Sequence, residues 1–460
     1  MTDWSEMHED LIRLILLQVP SDSLLSLARV SKALYRSSVS HIYQYVYISE
    51  SLRLCGNSNY NPSLVPDWKS NYQQFSRKPP YHITRIFNSS LLLRTISESD
   101  QLRSYIMGAS FNCRPDQEET VLPLIQALQP SLSSLHVKFS LDTLHRERQP
   151  LSTATHIEVE IVESQDIDYQ TGDLKNIGCN EEICSYCNLP NIHLLSISGI
   201  RNWQFLTQNS TQQPKSSNVT SLRLINTLPA DPSLAKLLSW PKGLKSLHFE
   251  LKLSEVNDGF FEIGHTGFVP VLKAKEFSDS LQSQASSLEE LFIYGDSQGD
   301  CSGGLQPTGT IDLHTFVSLR YVGLPVVFLI QSLSYANMLG VPIVPVVWSE
   351  ILPPTLEVLQ LEISEQFENY ACSSYFSRDE EEYDEDFYPG QLGDLICELV
   401  GKKETRFPKL RSIAIWLKGD GDVHALEDEQ GCEEVIKACK AAGVKISWDE
   451  SGILPLFDGC

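Results

Sequence analysis

The chain has 460 residues, enough for two or three ordinary domains or one extended repeat domain. Its 36 Lys and Arg residues against 59 Asp and Glu residues give a net charge of −23, which argues against nucleic acid or a membrane as a partner. A hydrophobic content of 42% argues against bulk disorder, and eleven cysteines without an N-terminal export signal indicate reduced thiols in the cytoplasm or nucleus.

Residues 9–19 predict a helix that is apolar on nearly every side, so something must enclose it. A unit of roughly fifty residues buries too little surface to supply that enclosure alone. Pro20 ends the helix, and Ser21 and Ser31 are candidate caps of two further helices. Residues 45–48 then alternate as a strand does. The segment predicts a docking module completed by another protein; the alternative is the first helical layer of a larger globular fold.

The runs LLSLARVSKALYR and IYQYVYIS in this segment resemble the F-box of fungal F-box proteins. The resemblance implies a Skp adaptor as partner and, through it, a cullin of a ubiquitin ligase. The family motif opens with Leu-Pro where this chain has Met7-His8. The apolar positions that would meet the adaptor are Met7, Leu11, Ile15, Leu16, Val19, Leu24, Leu25 and Val30.

Beyond residue 100 the pattern L-x-x-L-x-L recurs, with L standing for any large apolar residue. Leu195, Leu222 and Leu247 are 27 and 25 residues apart, within the range of roughly 20 to 29 typical of leucine-rich repeats. Wider gaps elsewhere indicate inserted loops. The copies are Leu102/Tyr105/Met107, Leu132/Leu135/Val137, Ile157/Val159/Ile161, Ile192/Leu195/Ile197, Val219/Leu222/Leu224, Leu244/Leu247/Phe249, Leu288/Leu291/Ile293, Leu319/Val322/Leu324, Leu356/Leu359/Leu361 and Leu410/Ile413/Ile415.

Such repeats bury their apolar faces only by stacking, and covering helices are predicted before residues 102, 132 and 410. The segments SLLLRTIS, LPPTLEVLQLEI and EEVIKACKAAGVKISW resemble those of fungal F-box proteins with degenerate leucine-rich repeats. The fold class is therefore predicted as α/β, with a helical F-box before an irregular solenoid. The predicted divisions are an F-box over 1–50, a connection with the first covering helix over 51–100, the solenoid over 101–425 and a capping helix and strand over 426–460.

Three further stretches have distinctive composition. Residues 206–218 and 295–310 are predicted surface loops, and the acidic run at 379–386 is predicted to be a solvated loop that could also attract a basic substrate. The apolar stretch Val326–Ile351 is interrupted by polar residues and prolines, so we expect buried structure there and no membrane span.

Two clusters are candidates for chemistry. The run 295–299 has the G-x-S-x-G pattern of a nucleophile elbow, but the Gly-rich residues after Ser297 cannot form the helix that an elbow requires. Cys179, Cys184, Cys187 and His193 have a spacing that could hold zinc, although reduced structural cysteines are the favoured interpretation. No cofactor and no catalytic activity are expected.

The outward positions of the repeat strands form the concave face, the usual recognition surface of such solenoids. Exposed aromatic residues bury much area with few rotatable bonds. The alternative is that inserted segments cover them. The candidate client-binding residues are Phe292, Tyr294, Tyr321 and Trp416, with His136, Lys138, Arg223, His248, Glu250, Gln360 and Glu362 on the same face.

The sequence thus predicts a non-catalytic substrate receptor of a Skp–cullin–F-box ubiquitin ligase, which binds an unidentified client protein. The alternatives are a Skp-binding scaffold without a ligase role, a plain repeat scaffold, and a hydrolase that uses Ser297.

Overall fold

The structure is a computed structural model. It describes residues 21–30, 32–49, 83–86, 89–112, 118–128, 130–140, 153–162, 186–198, 213–225, 231–251, 271–295, 306–308, 310–329, 347–364, 391–418 and 430–449. The chain divides into two compact units, residues 1–197 and 198–460, and each is considered by itself. Its described residues alternate between helices and strands, and the α/β class is confirmed.

In the first unit, five helices and six strands lie within the described residues. The helices are α1 (Ser21–Ala28), α2 (Lys32–Ile42), α3 (Ser89–Glu98), α4 (Asp100–Tyr105) and α5 (Glu118–Leu128). The strands are β1 (Tyr45–Ser49), β2 (Ile83–Ile86), β3 (Gly108–Asn112), β4 (Ser134–Ser140), β5 (His156–Val162) and β6 (Leu194–Ser198).

These strands form one sheet in the order β2-β1-β3-β4-β5-β6. All pairs from β2 through β5 are parallel, and Thr155 accepts backbone hydrogen bonds from His193 and Leu194 at the start of β6. Alternate strand residues point to a core that α3 and α5 cover, as predicted. The predicted α1, α2 and β1 are also present, although the preceding helix over 9–19 lies outside the described residues.

The first predicted repeat copy, Leu102/Tyr105/Met107, is wrong. Leu102 and Tyr105 belong to helix α4, and Met107 is exposed. The strand register aligns Ala109 with Leu135 and Phe111 with Val137, so the inward residues are Ala109 and Phe111. The small Ala109 weakened the true copy, while the helical spacing of Leu102 and Tyr105 imitated one.

The second unit repeats the same alternation. Its helices are α6 (Asp231–Ser239), α7 (Ala274–Leu281), α8 (Trp348–Ile351), α9 (Gln391–Gly401), α10 (Lys403–Arg406) and α11 (Gln430–Ala441), with 3-10 turns at Gln282–Gln284 and Val326–Phe328. Its strands are β7 (Ser221–Ile225), β8 (Ser246–Leu251), β9 (Val271–Lys273), β10 (Glu290–Gly295), β11 (Gln306–Thr308), β12 (Tyr321–Pro325), β13 (Val358–Ser364), β14 (Ser412–Lys418) and β15 (Lys445–Asp449).

Seven of these strands form a parallel sheet in the order β7-β8-β10-β12-β13-β14-β15. The middle residues of the predicted copies are in register across it, so that Leu222, Leu247, Leu291, Val322 and Leu359 are successive partners. All five are almost completely buried. One apolar column therefore runs across the sheet, as the repeat pattern predicts.

The predicted loop at 295–310 contains a strand. Gln306–Thr308 pairs in parallel with Val271–Lys273 in a separate two-stranded sheet. Three-residue strands are shorter than the alternation needed to detect them, which is why the sequence did not reveal this pair.

The chain end is built as predicted, with a helix, a glycine and a strand. Gly443 has φ of +63°, the left-handed conformation that glycine adopts readily after a helix. Lys403 donates hydrogen bonds from Nζ to the carbonyls of Ala442 (2.6 Å) and Gly443 (3.2 Å). On α11, which packs against α9, Cys439 is completely buried, and burial raises the pKa of its thiol to about 11.

Candidate binding face

The face of the second sheet opposite the helices holds the predicted client-binding residues. Successive strands bring Arg223, His248, Phe292, Gly323 and Gln360 into one row of register partners. These are the positions between the buried apolar ones, as the period of two requires. Polar, aromatic and glycine residues therefore share a single row.

The Phe292 side chain packs among the other side chains of this row and does not extend into solvent. Its side chain is only 4% exposed. The ring centroid is 4.8 Å from that of His248, and a Cβ on Gly323 would come within 2.4 Å of its Cδ1. The absence of a side chain at Gly323 thus creates the space in which the ring lies.

His248 is held in the neutral form. Burial, followed by the nearby positive charge of Arg223, lowers the pKa of His248 to about 3. Arg223 in turn pairs with Glu250, whose Oε2 is 3.5 Å from Nη2 of the guanidinium group. This end of the row is therefore insensitive to physiological changes of pH.

Tyr321 is partly exposed and lies next to a basic side chain. The guanidinium carbon of Arg320 is 5.2 Å from the centre of the Tyr321 ring. A cation at that distance is attracted to the electron-rich ring face. The pair is an arrangement that a partner could contact from solvent.

Trp416 is half-buried and is the register partner of Glu362, a carboxylate that is 2% exposed. Gln360 on the same strand is also buried. The side chains of Tyr294, His136 and Lys138 lie outside the described set. Tyr321 and Trp416 are thus the predicted aromatic positions seen to reach solvent.

A ladder of alternating charge runs along the edge where these strands begin. Lys245, Glu289, Arg320, Glu357 and Arg411 follow one another, each donating a backbone N–H to the carbonyl of the residue before it, from Glu289 to Arg411. We call these five residues the charge ladder. It was not predicted, because its members fall in five separate repeats and only the strand register brings them together.

Side chains also pair along the charge ladder. Lys245 Nζ is 3.0 Å from Glu289 Oε1, Arg320 Nε is 2.6 Å from Glu357 Oε1, and Arg411 Nε is 3.6 Å from Glu357 Oε2. The hydrogen bond from Arg320 and the charges of Arg320, Arg411 and Lys409 lower the pKa of Glu357. The same hydrogen bond raises the pKa of Arg320.

Gln284 is a second feature that the sequence did not reveal. Its side chain is 1% exposed, accepts from the Leu244 N–H (2.8 Å) and donates to the carbonyls of Leu238 (2.7 Å) and Pro241 (3.0 Å). These bonds satisfy backbone N–H and carbonyl groups of the segment before β8. In leucine-rich repeats, an Asn after the strand usually forms the hydrogen bonds to the turn backbone. A Gln on a short turn is ordinarily a surface residue, so the sequence gives no sign that Gln284 has this role.

The predicted adaptor residues are placed only in part. Met7, Leu11, Ile15, Leu16 and Val19 lie outside the described residues, as do the side chains of Leu24 and Leu25. Val30, at the end of the α1 turn, is 72% exposed, and Tyr35 on α2 is exposed as well. Between the two helices, Ile42 packs with Leu27, Ala28 and Tyr43.

The candidates for chemistry lie only in part within the described residues. Cys187 is buried and His193 is exposed, while Cys179, Cys184 and Ser297 lie outside it. Among described residues no group of three or more His, Cys, Asp or Glu side chains could hold a metal.

Comparison with known proteins gives no relative: no family model matches the chain, and no curated protein matches it significantly. Within the described ranges, no helix combines the length and the apolar character needed to cross a bilayer.

Proposed function

We propose that the chain is the substrate-recognition subunit of a Skp–cullin–F-box ubiquitin ligase. Its N-terminal segment would dock the Skp adaptor, and an irregular leucine-rich-repeat solenoid would hold the client protein. The receptor performs no bond chemistry. It raises the effective concentration of the client beside the ubiquitin-loaded enzyme, which is how tethering accelerates a transfer.

The observation that carries this proposal is the exposed apolar surface on the N-terminal helix pair. Val30 is 72% exposed, although α1 and α2 already pack on each other through Leu27 and Ile42. The resemblance to the F-box assigns Val30 to the adaptor contact. A side chain left in solvent by its own fold is suited to contact a partner.

The second unit supports the receptor half of the proposal. Its strands follow chain order and bury one apolar column, the arrangement expected of stacked repeats. The opposite face presents Tyr321 and Trp416 at partly exposed positions. With Phe292 and Tyr294, these residues form the proposed client surface, in which Phe292 supports the face from within.

The adaptor contact is tested with purified Skp and the full-length chain. Replacing Leu11, Ile15 and Leu16 by Glu is expected to abolish capture, because charged side chains cannot enter an apolar interface without a large desolvation cost. Val30→Glu alone should weaken capture at least tenfold. Calorimetric titration or pull-down measures both effects.

Val317→Glu is the matched control, since Val317 is 61% exposed and lies in the second unit. It should capture the adaptor as the native chain does. Undiminished capture by the Val30 and triple variants would refute the proposed docking. Copurification of a cullin with the adaptor distinguishes a ligase receptor from a Skp-bound scaffold without a ligase role.

A further inference from the structure

The charge ladder carries more positive than negative charge. Lys242, Lys409 and Lys445 flank it at the same strand edge, and Lys445 donates its backbone N–H to the carbonyl of Arg411. Together with Lys245, Arg320 and Arg411 they make six cations against the three carboxylates Glu289, Glu290 and Glu357. This edge is therefore basic in a chain whose net charge is −23.

The ion pairs within the charge ladder leave its cationic side chains partly exposed to solvent. Glu357 is shared by Arg320 and Arg411, with its side chain only 13% exposed between them. The two guanidinium groups and Lys245 keep 42% to 62% of their side chains in solvent. The pair of Lys245 with Glu289 is exposed, and exposed pairs contribute about 0 to 1 kcal/mol each, so a competing anion can rearrange it.

The spacing of the cations fits an extended polypeptide. Lys245, Arg320 and Arg411 immediately precede β8, β12 and β14, which are two strands apart in each step. With about 4.8 Å between strands, the cations recur about every 10 Å, and an extended chain advances about 3.3 Å per residue. Acidic residues at every third position of a seven-residue segment would therefore meet all three.

We propose that the charge ladder binds an extended acidic segment of the client with the spacing Glu-x-x-Glu-x-x-Glu, an inference that rests on the proposed receptor function. Arg–carboxylate contacts fix such a segment by charge and geometry. Glu289, with 37% of its side chain exposed between Lys245 and Arg320, disfavours an acidic side chain at the intervening positions. Tyr321, beside Arg320, supplies apolar contact at the centre.

A peptide fits this edge better than a nucleic acid. A phosphate backbone carries charge at every residue, so it would place anions against Glu289 and Glu357 as well as against the cations. The remaining surface of an acidic chain would repel it further. The ladder selects for spaced negative charge.

The test uses the full-length chain and a fluorescein-labelled peptide, Glu-Ser-Ser-Glu-Ser-Ser-Glu, in fluorescence anisotropy. The native chain should bind it, with affinity that falls as salt is added. The triple variant Lys245→Gln, Arg320→Gln, Arg411→Gln should lose at least tenfold in affinity. The matched variant Lys275→Gln, Lys437→Gln, Lys440→Gln removes the same charge from exposed helix positions and should bind as the native chain does.

Lys245→Gln alone serves if the triple variant does not fold, since the ion pair that Lys245 makes with Glu289 is exposed; it should cost about threefold. A peptide with the same charges in one block, Glu-Glu-Glu-Ser-Ser-Ser-Ser, should bind more weakly. The proposal is overturned by absent binding, by equal losses in the two triple variants, by equal affinity for the block peptide, or by tighter binding of a seven-nucleotide DNA.

This result is separable from the adaptor contact. The triple Gln variant should still capture Skp, because its substitutions lie in the second unit. If the triple variant loses peptide binding but still captures Skp, the result bears on the charge ladder alone. If the native chain fails to capture Skp, the proposed receptor function is refuted.

Discussion

Gln284 shows how one buried amide can replace a repeat motif. Leu244, Leu238 and Pro241 all direct backbone groups at its side chain. From the sequence alone, a Gln on a short turn is predicted to be a surface residue. Its role depends on the position of the preceding turn, which only the folded chain supplies.

Replacing Gln284 by Leu is expected to reduce the free energy of unfolding by about 3 kcal/mol, because the Leu244 N–H and the Pro241 carbonyl would be left buried without their side-chain partner, while the Leu238 carbonyl keeps its bond from Ser283. Urea unfolding of the full-length chain measures the change. Gln282→Leu, on the same turn but exposed, is the control and should be nearly neutral. Equal losses in the two variants would contradict the role given to Gln284.

His248 couples stability to pH. Its pKa is about 3 in the folded chain and near 6.5 in an unfolded one. Below pH 6.5 the unfolded state takes up a proton that the folded state refuses until about pH 3, so stability falls as the pH is lowered between these values. The contribution is about 2 kcal/mol between pH 8 and pH 5.

Urea unfolding at pH 8 and pH 5 tests this expectation. His248→Gln should lose about 2 kcal/mol less than the native chain over that interval, because it removes one of the titrating groups. The other ten histidines are common to both chains and cancel in the comparison. An unchanged difference would show that His248 does not titrate as described.

Neighbouring strands β10 and β12 pack closely because the large side chain of Phe292 on β10 lies beside Gly323 on β12, which has no side chain. The ring of Phe292 occupies the space above Gly323 and is almost completely buried. This kind of fit is invisible to a pattern search, which treats both residues simply as outward positions. It explains why Phe292 was predicted as a surface anchor but lies buried.

Gly323→Ala should therefore destabilise the chain by about 1 to 3 kcal/mol, because the new methyl group displaces a packed ring. The loss should shrink in a Phe292→Leu background, where the ring is gone. A double-mutant cycle by urea unfolding measures this coupling. Gly243→Ala is the control, since its nearest neighbour would be an ordinary 3.6 Å away, and additive losses in the cycle would contradict the proposed contact.

Across the molecule, the sequence predicted what depends on periodicity. Nine of the ten repeat copies coincide with strands, and the helices before residues 132 and 410 were expected because long apolar periodic segments leave few alternatives. The copy at Leu102 failed where Ala109 weakened the pattern. The short β9–β11 pair, the charge ladder and the Gln284 contacts arise from residues far apart in sequence, so no local pattern encodes them.

The buried thiol of Cys439 has a practical consequence. Alkylating reagents attack the thiolate, which is scarce at neutral pH when the pKa is about 11, and they cannot reach a side chain with no solvent exposure. Modification of Cys439 therefore requires α11 to separate from α9 and β15, which exposes the thiol. The rate at which Cys439 is alkylated therefore measures how often α11 separates from the elements packed against it.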